Sequence, residues 1–248
     1  MNDRLLRVVP FILLACSNPA NPPSAADSGL GDTGAVDMGS GDAAARPAPT
    51  DLSSFESNAE GIGVAAMAKD FTKAKAILDS ANGTWATLRA VLVKDGAKGD
   101  ALARVDDALA KLKVDLAAPL AKDAEYHANQ ISLIVPDFFD LYTFAVPSEA
   151  LRLDAWFREL QIDGEYADLT KGASSLAAAK ASWAKLKPTT APKAAPRSDL
   201  PGATTVVADL DKVLADLDAA FAAKTAPTVV TLAQTGLDLV DVVEAVFK

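Results

Sequence analysis

The chain has one cysteine and one histidine in 248 residues, and only 6% of it is aromatic. A lone cysteine leaves no disulfide framework and no multi-cysteine zinc site. A lone histidine leaves no multi-histidine metal cluster. Scarce aromatics, in a chain that is 50% apolar, point to alanine-rich helices rather than a β-sandwich. Basic residues are in deficit: 24 Lys and Arg against 33 Asp and Glu give a net charge of −9. That balance argues against nucleic acid, whose phosphates call for clustered Lys and Arg. The sequence has no nucleophile elbow, no phosphate-binding glycine loop and no zincin motif. No enzymatic activity, cofactor or metal is expected from it.

What is present starts with an address. Arg4 and Arg7 form a basic start, followed by the apolar run Val8–Ala15. Eight residues are far short of the roughly 20 that a spanning helix needs. A basic start, a short apolar stretch and a small closing residue are the pattern of a secretory signal. Leu13-Leu14-Ala15-Cys16 resembles the lipobox of bacterial lipoproteins, with Leu at −3 and Ala at −1. That resemblance implies that residues 1–15 are removed, that Cys16 is lipidated, and that the protein is anchored by lipid in the bacterial cell envelope. Ser17 rather than Asp after the cysteine is similar to the signal for the outer membrane in enteric-type bacteria. The anchor implies the membrane as one partner.

Residues 16–50 then read as a tether. From Ser17 to Thr50 there are five Gly, five Pro, eight Ala and four Asp, with Leu30, Val36 and Met38 as the only large aliphatic residues. Such a segment cannot bury a core and is expected to be disordered. Asp27, Asp32, Asp37 and Asp42 recur every five residues. Calcium loops place their ligands closer together, at alternate positions, so the tract reads as a solubilising spacer.

From Asp51 the apolar spacing becomes helical. Leu102, Val105, Leu109, Leu112 and Leu116 step by three and four along one stripe. The spacing predicts eight helical segments, at 51–67, 69–93, 100–117, 121–144, 148–163, 165–187, 202–223 and 227–247. They fall into two matching sets, 51–146 and 147–248. Shifting Asp70–Arg89 by 98 residues onto Asp168–Lys187 leaves 8 of 20 positions identical, Trp85/Trp183 among them. Upstream, Pro49-Thr50-Asp51 meets Pro147-Ser148-Glu149, and further on Asp106, Leu109 and Leu112 meet Asp211, Leu214 and Leu217 at a shift of 105. The difference falls on the Pro-rich stretch Pro188–Pro201, expected to be a loop, and Asp163-Gly164 is expected to break two helices. Lys69–Ala74 and Gly164-Glu165-Tyr166 resemble the inter-helix turn of tetratricopeptide repeats, without that family's 34-residue period. The expected fold is therefore all-α, two tandem four-helix units packed as a bundle, or alternatively a short α-solenoid.

Candidate sites are few. His127, four residues after Asp123, reads as a half-buried histidine at a helix start with a capping acid. A haem ligated by Met67 and His127 is the sharper alternative, and Glu125-Tyr126-His127 has the wrong spacing for a diiron bundle. Trp85 and Trp183 are expected in the cores. Trp156-Phe157, Phe138-Phe139, Tyr142 and Phe144 are expected to bury the seam between the units. Asp106/Asp107 and Asp137/Asp140 read as solvated faces and caps. These features fit a membrane-anchored lipoprotein whose helical domain binds or scaffolds a protein partner, or alternatively a bundle that carries haem, metal or a small apolar ligand.

Overall fold

The computed structural model describes residues 46–248. The signal segment, Cys16 and the Asp-Gly tract lie outside the described residues. Eight helices follow one another: α1 Thr50–Met67, α2 Phe71–Asp95, α3 Gly99–Ala117, α4 Ala121–Phe139, α5 Ser148–Glu165, α6 Leu169–Ala194, α7 Val206–Ala222 and α8 Ala226–Phe247. Among the described residues the one β-type pairing is an isolated bridge between Pro47 and Thr143. None of these helices is long and apolar enough to cross a membrane.

Three-residue turns join the helices except at α4–α5 and α6–α7, and such short turns make the helices they join run antiparallel. Within each set of four, every helix packs on its sequence neighbour, and the first packs on the fourth. That first-to-last closure makes a ring around a core, which a solenoid does not form. The two rings meet where α4 lies against α5. The leucine stripe of α3 is buried as its spacing predicts.

Landmarks recur in the two rings at the offsets seen in the sequence. Pro49 and Pro147 precede α1 and α5 with φ/ψ of −58°/137° and −59°/137°. Asp70 and Asp168 cap α2 and α6 by accepting the Lys73 and Lys171 N–H at 3.0 and 3.2 Å. The turns before those caps match as well. Lys69 and Ala167 both take left-handed φ, 58° and 56°. Beside them, the Asp70 and Asp168 N–H groups reach back to the Ala65 and Asp163 carbonyls at 2.8 Å. This is the Schellman closure, which satisfies carbonyls left over at a helix end.

Three expectations need correction. Gly164 does not break a helix; it lies inside α5, and a Cβ there would stand 2.9 Å from Val230 Cγ2 of α8. Its service is close packing, and the turn comes three residues later. The helix expected to end at Lys187 continues through Pro188 and Pro192 to Ala194. Leu186, Thr190 and Ala194 are buried at helical spacing, so the apolar stripe outlasts the hydrogen bonds that the two prolines remove. The hydroxyls of Thr189 and Thr190 both donate to the Leu186 carbonyl there. Conversely, α4 passes through Pro136 but stops at Phe139 rather than at 144.

Residues 46–49, assigned from composition to the tether, are held against the α4–α5 connector. Arg46 pairs with Asp95, its carbonyl accepts the Thr143 N–H at 2.8 Å, and Tyr142 donates to the same Asp95 at 2.7 Å.

A polar cleft at the seam: candidate functional site

The seam between the rings is polar, which corrects the expectation of an aromatic one. Phe138 packs beside Trp85 inside the first ring, at 5.9 Å between centroids. Phe157 points into the second ring, so close to Gly236 that a Cβ there would lie 2.2 Å from it. Phe139 pairs with Phe144, and Trp156 is half-buried. Facing α5, helix α4 instead presents Glu125, Asn129 and Ser132, all at most 4% exposed. Spacings of four and three put them on one face.

Each is placed by a neighbour. Tyr166, at the end of α5, donates its hydroxyl to Glu125 Oε1 at 2.9 Å. The Asn129 amide donates to the Ala155 carbonyl at 3.0 Å and to Glu159 Oε2 at 2.6 Å. Glu159 in turn binds Lys171 Nζ, which also reaches Asp163 at 3.0 Å and sits 4.0 Å above the Tyr126 ring. Ser175 donates to the other oxygen of Asp163 at 2.8 Å. Burial pushes the Glu159 and Asp163 carboxyls above their ordinary range, and the Lys171 contacts only partly oppose it. Lys171 is the cation that makes a buried Glu159 and Asp163 tolerable.

Between α1, α4 and α5 this face opens on a cleft whose enclosed space is about 40 Å³. Glu125, Asn129 and Ser132 line one side. Gly63, Val64 and Met67 of α1 line the other, with Arg158 and Ile162 of α5 closing it. Val64 and Met67 are 38% and 39% exposed and form an apolar lip. Arg158 is shared between Glu60 at 3.1 Å and Asp154 at 2.7 Å. Burial pushes the Glu125 carboxyl up to about 7 and does the same to Glu60, against the pull of Arg158. Glu125 Oε2, Asn129 Oδ1 and Ser132 Oγ are buried with no hydrogen-bond partner. At the offset of 104 that carries Gln130 onto Gln234 and Asp137 onto Asp241, these positions become Val229, Ala233 and Gly236, all buried in α8. The corresponding first-to-fourth helix packing therefore forms without the acceptor row.

Of the residues singled out from the sequence, Met67 and Glu125 line the cleft and the others lie elsewhere. His127 Nδ1 meets Asp115 Oδ2 of α3 at 2.6 Å, so its acid is Asp115 and not the expected Asp123. Two residues along α4 from Glu125, His127 faces away from the cleft, while Met67 lines it. The two are therefore not brought together as a ligand pair. Trp85 and Trp183 are 5% and 4% exposed and donate their indole N–H to Asp106 and Asp211 at 2.7 and 2.8 Å. Asp106 is thus a partner of the core tryptophan, and it also pairs with Arg89, as Asp211 does with Lys187. Asp137 and Asp140 both bind Arg152. Among the described residues no group of three or more His, Cys, Asp or Glu is arranged to hold a metal ion. Sequence reading missed Glu125, Asn129 and Ser132 as a set. The available signal was three polar residues at helical spacing on the side of α4 opposite the apolar stripe of Ile131, Ile134 and Phe138, a pattern that by itself reads as a solvated face. Compared with known proteins, the chain matches no family model, no curated protein and no solved structure.

Proposed function

We propose that the protein is a non-enzymatic, lipid-anchored binding module of the bacterial cell envelope, probing its surroundings with the cleft between α1, α4 and α5. The observation that carries the binding reading is the row of three buried, unpartnered polar atoms on α4, two carbonyl-type oxygens and one hydroxyl. Buried polar groups are nearly always paired, and leaving one unpaired costs about 1–3 kcal/mol. A ligand that supplies donors removes that cost. The envelope address rests on the resemblance of Leu13–Cys16 to a lipobox. The matched caps, turns and Trp–Asp pairs of the two rings support an origin by duplication, after which only one ring acquired the polar row.

The test is native mass spectrometry of the full-length protein extracted from its own membranes. The expected result is a lipid-modified N-terminus at Cys16, lost in Cys16→Ser, and a bound small molecule that Gly63→Leu displaces by filling the cleft. An unmodified chain recovered in the soluble fraction overturns the anchor. Identical spectra for the wild type and Gly63→Leu overturn the cleft as the binding site.

A further inference from the structure

Few donors in the cleft are free: Arg158 is engaged by Glu60 and Asp154, Gln161 Nε2 donates to Gln234 Oε1 at 3.4 Å, and only the Ser132 hydroxyl can still donate as well as accept. Asn129 Nδ2 already serves two acceptors, the Ala155 carbonyl and Glu159. Turning the amide over would set its oxygen against both. Asn129 Oδ1 is therefore a fixed acceptor, as is Glu125 Oε2 when the carboxyl is ionised.

The three acceptors spread over about 10 Å of helix axis at 1.5 Å per residue. Helix α1 runs antiparallel to α4, and their register is set where Gly63 faces Ala128, a Cβ there standing 3.8 Å from the alanine methyl. Glu60, nearly one turn before Gly63, is then level with Ser132, at the far end from Glu125. The cleft so has a carboxyl at each end, an amide oxygen between, and an apolar wall of Gly63, Val64 and Ile162. The one cation lining it, Arg158, is already engaged by Glu60 and Asp154.

We propose that the cleft binds a linear aliphatic amine carrying an ammonium group at each end, a short diamine or polyamine. The inference rests on the cleft being the binding site. An ammonium has three donors and no acceptor, which matches a row of acceptors. A methylene chain covers the apolar wall while its charged heads stay on polar groups. Narrow enclosed space suits a slim chain rather than a ring. An ammonium beside each carboxyl also stabilises its charged form, so binding near neutral pH releases protons from Glu125 and Glu60. The groups facing Glu125 are Tyr166 and Glu165, and those facing Glu60 are Arg158, Asp154, Glu244 and Glu56.

The experiment is isothermal titration of the full-length protein with 1,4-diaminobutane, 1-aminobutane and 1,4-butanediol, in two buffers of different ionisation enthalpy. The diamine is expected to bind with proton release, the monoamine about tenfold more weakly, and the diol not at all; a tenfold loss is about 1.4 kcal/mol. Glu125→Gln, which keeps the shape and the Tyr166 contact, and Ser132→Ala are each expected to weaken the diamine. Thermal melts by circular dichroism confirm that each variant is folded, and the small Ser132→Ala change keeps the test open if Glu125→Gln is not. Equal binding of monoamine and diamine, or no amine binding at millimolar concentration, overturns the proposal. If amines fail while Gly63→Leu still displaces a ligand found in extracted protein, the amine falls and the binding site stands. If Gly63→Leu displaces nothing, both fall.

Discussion

Replacing each core tryptophan by alanine gives the sharpest stability test. Trp85 and Trp183 are 5% and 4% exposed, so each substitution empties nearly a whole indole from a closed ring. A buried tryptophan covers about 150–250 Å², worth about 4–6 kcal/mol at 25 cal/mol per Å² as an upper bound. Measured truncations of this kind cost about 3–5 kcal/mol. The hydrogen bonds add little, because Asp106 and Asp211 are half exposed and keep Arg89 and Lys187. Trp85 has a further term: it stacks on Phe55 at 5.0 Å and touches Phe138 at 5.9 Å, and aromatic pairs contribute about 0.5–1.5 kcal/mol each. Trp85→Ala is therefore expected to cost more than Trp183→Ala, with both above about 3 kcal/mol. Urea melts followed by circular dichroism measure the two losses. Iodide quenching of the wild type should reach mainly Trp156, the half-buried third tryptophan. Losses below about 1.5 kcal/mol in both variants, outside the range for a filled core site, would refute the core assignment.

Other changes have defined signs. Ala167→Gly should stabilise by about 0.5–1 kcal/mol, because a left-handed φ of 56° costs an alanine what it does not cost a glycine; an unchanged melting midpoint would contradict the turn geometry. Gly236→Ala should destabilise by about 1–3 kcal/mol, since its new methyl would meet the Phe157 ring at 2.2 Å, and Phe157→Leu in the same background should recover part of the loss. Glu125 and Glu60 are raised from 4.5 to about 7 by burial. The folded protein then keeps protons that the unfolded chain releases near 4.5. The stability they confer is full below that value and is lost as pH rises through about 7, by up to about 3 kcal/mol for Glu125. Denaturant melts between those pH values should show the decline, and Glu125→Gln should flatten it.

The sequence by itself determined the helices, their order and their correspondence. Leucine stripes at steps of three and four can be buried only on a helix. Trp85/Trp183 and Asp70/Asp168 recur because the same local physics, a core indole and an N-cap, acts twice. Its errors came where local signals met distant partners. Pro188 and Pro192 read as a loop, yet burial of Thr190 and Ala194 in the second ring outweighs two missing hydrogen bonds. Gly164 read as a breaker, yet Val230 from a helix some 65 residues away needs the space its side chain would fill. Asp123 read as the acid beside His127 because it is one turn away, while Asp115 arrives across the α3–α4 packing. Tertiary structure alone decided the candidate site. Glu125, Asn129 and Ser132 are ordinary polar residues on a helix until α1 and α5 close over them and supply donors to some of their atoms while leaving three polar atoms unpaired. Periodicity records which face a residue takes; only packing decides what that face meets, and hence whether a polar atom there is satisfied or waiting for a ligand.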